Sequence, residues 1–218
     1  MKKIVNDFLY GIYAGISIAS GGLLNIVSKT YFGGAGKIIG SLLFPVGLTL
    51  VCFLSLNLFT GKIGYLFDNE KNDYLKFLGI IYLGNVVGSL IAGLACWAIF
   101  KDVPDMMNTV NSIALGKASI PTFLAGFKLL CGSVLCGALV YLAVFCYKTF
   151  KNVALKVIGI FIPIALFVYF GFDHCVANMS YFTFALYFKH GFSYLNILLA
   201  TIGNSLGAIA LNSLIKIF

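Results

Sequence analysis

Six long apolar runs, at about 8–28, 38–66, 74–100, 122–147, 154–189 and 191–217, decide what this chain can fold into. A helix needs about 20 predominantly apolar residues to cross the hydrocarbon core of a bilayer, and every run reaches that length. Charged residues make up only 10% of the 218, against about 25% in a soluble domain, so a water-soluble fold is excluded. The 15 lysines outnumber the 7 acidic residues and there is no arginine. These lysines sit at the ends of the runs rather than in one patch, so they read as membrane topology and no nucleic-acid partner is implied. Residues 1–7 lead into the first run without a small-residue cleavage site, so no signal peptide is expected to be removed.

Two of the runs are too long for one helix and carry interruptions. The second contains Pro45 and then Ser55-Leu56-Asn57-Leu58-Phe59-Thr60-Gly61; the fifth contains Pro163 and then Gly171-Phe172-Asp173-His174-Cys175-Val176-Ala177-Asn178. Both read as broken helices. Leu83-Gly84-Asn85-Val86-Val87-Gly88 recurs as Ile202-Gly203-Asn204-Ser205-Leu206-Gly207, and Pro45 recurs as Pro163 at almost the same spacing. Each copy holds three spans. Three is odd, so the second copy enters the membrane from the opposite side. The expected fold is therefore all-α and integral to the membrane: six helices as two inverted three-helix repeats, at about 8–100 and 122–217, in one domain over 1–218, with helices 2 and 5 interrupted as in an aquaporin-like protomer.

Loop lysines set orientation. Placing both termini in the cytoplasm puts Lys2, Lys3, Lys62, Lys71, Lys76, Lys148, Lys151, Lys156 and Lys216 inside, and Lys29, Lys37, Lys101, Lys117 and Lys189 outside. That excess favours a multi-pass protein of the cytoplasmic membrane with both ends inside.

Paired breaks in inverted repeats point to a permeation site near the midplane. Each break also begins a half-helix whose N–H groups and positive dipole end suit an anion. The two Gly-Asn-x-x-Gly repeats fit close helix packing, with their asparagines hydrogen-bonding across helices to pin the breaks. Ionisable groups inside a membrane are costly and mark function by default. Asp173 is expected to be structural, capping the half-helix that follows it. His174 is the candidate for function, because an imidazole can donate a hydrogen bond or a proton to a passing anion. Lys128 lies a short way into the fourth span, where it can snorkel, and His190 is expected in an exposed loop. The six cysteines show no CxxC or metal spacing; they read as reduced core residues, and neither a metal nor a cofactor is implied.

At these residues the chain resembles the formate/nitrite transporter family. Leu58-Phe59-Thr60-Gly61, Gly171-Phe172-Asp173-His174 with Ala177-Asn178-Met179, and the two Gly-Asn repeats carry the likeness, which extends over nearly the whole chain. Cys136 to Val144 is similar to a degraded form of the family's fourth-helix signature. The resemblance implies a homopentamer in which each protomer has its own pore, with hydrophobic constrictions on both sides of a small chamber. Counting from the motifs, it places Phe44 and Leu48 in the second helix, Leu58 in the first break and Phe167 in the fifth helix at the constrictions. The alternative for these four is ordinary lipid-facing or core packing. His174, with Thr60 opposite, would hydrogen-bond or protonate the anion, and Lys117 or Lys128 would raise its concentration in the vestibule. Asn57 stands where the family usually has an acid, and Gly137 where it usually has Asn; loss of that amide would leave a roomier chamber. Asn57, Asp173 and Asn178 would be structural at the breaks.

The implied function is a channel or transporter for small monovalent weak-acid anions such as formate, nitrite or hydrosulfide. The alternative is a neutral-solute pore of the water or urea type, although the Asn-Pro-Ala pairs and arginine filter of such pores are missing. An enzyme is disfavoured because only Asp173 lies beside His174.

Overall fold

In the computed structural model, residues 2–187 and 191–217 are described, and the expected loop positions Lys189 and His190 fall outside them. Among the described residues there is no β-strand, and six helices are long and apolar enough to cross a membrane: Lys2–Tyr31, Gly33–Phe53, Asn72–Phe100, Phe123–Thr149, Val153–Phe170 and Phe192–Ile215. Large apolar side chains face outward along them, including Leu83, Ile99, Ile162 and Leu206. Such a surface is stable only against lipid or other protein.

The elements in order are α1 (Lys2–Tyr31), α2 (Gly36–Leu43), α3 (Pro45–Phe53), α4 (Phe59–Lys62), α5 (Lys71–Phe100), α6 (Pro104–Ala118), α7 (Phe123–Thr149), α8 (Val153–Phe170), α9 (Cys175–Phe184) and α10 (Gly191–Ile215). A 3₁₀ segment, Ile63–Asp68, follows α4 directly. Helix α1 packs along α5 and α7 packs along α10. Glycine makes both approaches possible: a Cβ on Gly88 would overlap the carbonyl oxygen of Ile12, and one on Gly207 that of Val134. Small residues that let backbones close in this way drive helix association in lipid, where no hydrophobic effect operates between helices.

The two breaks are built alike. After α8 the chain turns at Gly171, with φ of 77°, while Gly171 N–H donates to Val168 O at 3.1 Å and Phe172 N–H to Phe167 O at 3.0 Å. That is the Schellman pattern, which satisfies the last carbonyls of a helix. After α3, Ser55 N–H donates to Cys52 O at 3.2 Å and Leu56 N–H to Val51 O at 2.8 Å. The turning residue here is Ser55, with φ of 54°, a left-handed conformation that strains an L-residue. Six spans are an even number, so the two ends of the chain come out on one face; near them Asn57 Nδ2 donates to Asp7 Oδ1 at 3.4 Å, and Lys216 pairs with Asp68.

Candidate functional site: the paired helix breaks

The asparagine of each Gly-Asn repeat holds one break. On α5, Asn85 Oδ1 accepts from Phe59 N–H at 2.8 Å, and its Nδ2 donates to Gly11 O at 2.8 Å and Asn57 O at 2.9 Å. On α10, Asn204 Oδ1 accepts from Cys175 N–H at 2.9 Å, and its Nδ2 donates to Ser133 O at 2.8 Å and Asp173 O at 2.9 Å. Each amide thus ties a half-helix start, the residue two before it and a neighbouring helix together. The same chemistry corrects one expectation. The N–H groups of Phe59, Cys175 and Ala177 do not point free toward an anion, because backbone donors away from water must be paired within the protein.

These clamps bring Thr60 and His174 together: Thr60 Oγ1 lies 2.8 Å from His174 Nε2, and both residues are buried. His174 is itself the N-cap of α9, its Nδ1 accepting from Ala177 N–H at 3.2 Å. An accepting Nδ1 carries no proton, so the hydrogen-bond network assigns the proton of the neutral ring to Nε2, which donates to Thr60 Oγ1. The Thr60 hydroxyl hydrogen is left to reach another acceptor. Asp173 therefore does not cap the half-helix as expected. Its carboxylate is drawn away by Lys117 Nζ at 2.9 Å and accepts from Asn178 Nδ2 at 2.7 Å and Asn196 Nδ2 at 3.2 Å.

Buried apolar side chains lie on the elements that carry the pair. Phe44, Leu48, Leu58 and Phe167 are at most 3% exposed, so in this fold none of them faces lipid. The Phe44 and Phe167 rings meet edge to face with centroids 5.6 Å apart, and Phe167 stacks on the His174 ring at 5.9 Å.

Three cavities lie around this core. On the face opposite the termini, an open vestibule of about 800 Å³ is lined by Lys29, Asn108, Ser112, Lys117 and Asp173 among others. A narrow cavity of about 50 Å³ shares Lys29 and Lys117 with it and reaches Phe44, Phe167 and His174. On the face of the termini, a cavity of about 120 Å³ is lined by Lys62, Lys148 and Leu58 among others. Of the two lysines named from the sequence for the vestibule, Lys117 lines it but is held by Asp173, whereas Lys128 is exposed on α7 and is not among its lining residues.

Gly137 is a second correction. A Cβ there would collide with the Asn204 backbone, so this glycine seats α7 against α10 and does not enlarge a chamber. Lys29 was missed as a site residue. It is the lysine of the vestibule whose ammonium makes no ion pair among the described residues, and its place in the last turn of an apolar span, where a charge is costly, was the available signal. Asn25 and Tyr181, which line the narrow cavity and hydrogen-bond at 3.3 Å, carried no such signal, since both types occur widely in helix contacts. All six cysteines are free, and no group of three or more potential metal ligands occurs among the described residues.

The family model for formate/nitrite transporters matches residues 1–218. The chain is 31% identical over 192 residues to the formate channel FocA of Haemophilus influenzae, an alignment covering 82% of this chain and 66% of that protein. It is 30% identical over 215 residues to the nitrite transporter NirC of Escherichia coli, covering 93% and 77% respectively. Among solved structures, a pentameric formate channel with formate bound superposes with a TM-score of 0.82 at 24% identity, covering 99% of this chain and 96% of that one. An FNT family ion channel gives 0.79 at 24% identity, covering 98% and 88%.

Proposed function

The chain belongs to the formate/nitrite transporter family, and on that premise we propose that it passes small monovalent weak-acid anions through a pore at the paired helix breaks. Formate, nitrite and hydrosulfide are the candidate substrates, as the names of its relatives suggest for the first two. The observation that carries this reading is the buried Thr60–His174 contact of 2.8 Å, set between apolar side chains and flanked by cavities that contain lysine on both faces.

Lysines at the mouths raise the local anion concentration. An unpaired charge does not cross a dry slit cheaply, so the anion leaves water only where donors replace its hydration. The Thr60 hydroxyl supplies one, and the Nε2–H of His174 supplies another when Thr60 turns toward the substrate. His174 acts as a hydrogen-bond donor and not as an acid: giving up the Nε2 proton would leave an imidazolate, and charging Nδ1 would set two N–H groups against each other at the start of α9. Protonation comes instead from water in the mouths. Desolvation disfavours the charged form of a weak acid, so formate or hydrosulfide entering the slit takes up a proton and crosses neutral. A strong-acid anion such as chloride has no neutral form under these conditions and stays behind.

In this reading the protein is a multi-pass protein of the bacterial cytoplasmic membrane, with both termini in the cytoplasm, as the lysine distribution supports. Each protomer conducts, and five assemble, as in the pentameric structural neighbour. Uptake of formate, nitrite, hydrosulfide, chloride and urea into proteoliposomes tests the proposal. Entry of the weak acids without chloride or urea is the expected outcome; entry of urea together with water points to the neutral-solute alternative.

A further inference from the structure

The cavity on the face of the termini differs electrostatically from the vestibule opposite. In the vestibule, Lys117 is neutralised by Asp173 of the second break at 2.9 Å, which leaves Lys29 as the unpaired cation. The equivalent position of the first break is Asn57, whose neutral side chain donates to Asp7 Oδ1. No carboxylate of that break therefore meets Lys62 or Lys148. Lys62 makes no ion pair among the described residues, and Lys148 Nζ sits 3.8 Å from the centroid of the Tyr65 ring. Asp7 and Asp68 lie close enough for their charge to reach these lysines, but neither forms an ion pair with them: Asp7 accepts from the Asn57 amide, and Asp68 is shared by Asn212 and Lys216. Both lysines line a cavity of about 120 Å³ together with Ser55, Tyr147 and the apolar side chains of Leu56, Leu58 and Val144. A buried water takes up about 10–15 Å³ of such space, so the cavity holds a small anion with part of its hydration shell. Two residues beyond Leu58 is Thr60.

We propose that this cavity is a second anion-binding station, in which Lys62 and Lys148 hold a small monovalent anion at the apolar gate and which fills from the face of the termini. The inference rests on the transport reading above and adds a sidedness to it. The station carries two cations uncompensated by a break carboxylate, and so saturates at lower anion concentration than the vestibule. A passive pore must have equal permeability in both directions at low concentration. Tighter binding on one face consequently shows as earlier saturation there and not as a faster initial rate.

The test is concentration-dependent uptake of labelled formate, with nitrite in parallel, into right-side-out and inside-out membrane vesicles made from cells producing the full chain. Wild type is compared with the double variant Lys62→Gln/Lys148→Gln and with Lys62→Arg/Lys148→Arg. The half-saturating concentration should be lower from the face of the termini. The glutamine pair should raise it about tenfold on that face and remove its dependence on ionic strength, while the arginine pair restores it and the opposite face keeps its value. Equal half-saturation from both faces of the wild type, or an unchanged value in the glutamine pair, overturns the station while leaving the transport reading intact. Uptake that never saturates from either face likewise overturns the station alone, whereas absence of any uptake beyond that of vesicles lacking the protein overturns the transport reading, and the station with it.

Discussion

Replacing Asn204 by Leu removes a side chain of similar volume but deletes three hydrogen bonds, those to Cys175 N–H, Ser133 O and Asp173 O, at 2.9, 2.8 and 2.9 Å. Hydrogen bonds between helices in membranes average about 0.6 kcal/mol and reach about 1.7. Three of them are thus worth roughly 2–5 kcal/mol, with the upper end favoured here because three backbone groups lose their partner at once. For a chain of this size 1 kcal/mol moves the melting temperature by about 2–4 °C, so a drop on the order of 5–15 °C is expected for the detergent-purified protein, read by intrinsic fluorescence. Asn85→Leu, which deletes the equivalent bonds of the first break, should act alike. Because Asn204 ties down the residues on either side of His174, the Leu variant should also lose the exclusion of chloride in proteoliposomes. A melting temperature within 1 °C of wild type would refute the idea that these asparagines hold the breaks.

Ser55→Gly relieves a left-handed residue in the first break and should stabilise the protein by about 1 kcal/mol, seen as a small rise in melting temperature. Phe44→Ala removes the edge of the aromatic pair; it should admit chloride to proteoliposomes and lower stability by about 3 kcal/mol. Asp173→Asn keeps an acceptor for Asn178 and Asn196 but frees Lys117. Half-saturation for formate from the vestibule face should fall several-fold and become more sensitive to salt, as measured in oriented vesicles.

Span number, the two breaks and their duplication are legible in the sequence because each is a local property: run length, polar interruption, and a repeated Gly-Asn with matching prolines. The role of Asn85 and Asn204 follows from the same repeat, since an amide among apolar residues has to bond across helices. Choices that depend on distant partners are not legible. Asp173 turns away from the half-helix because Lys117, far along the chain on α6, offers a stronger partner, and the vacated capping place falls to His174. Gly137 looked like a missing chamber amide, yet its lack of a side chain is required by the Asn204 backbone on α10. Lys29 reads in the sequence only as an outer loop charge, and it is the packing of α1 beside α6 that brings it to the vestibule.

Selective passage depends most on the Thr60–His174 pair being the place where weak acids shed water. Formate uptake into proteoliposomes across a pH series, with chloride as the control and with His174→Ala and Thr60→Val alongside, tests this directly. The prediction is that wild-type uptake of formate rises as pH falls while chloride is excluded throughout, and that both variants take up formate more slowly at every pH or admit chloride, the rise with falling pH staying because it belongs to the substrate. Variants indistinguishable from wild type in both respects would contradict it.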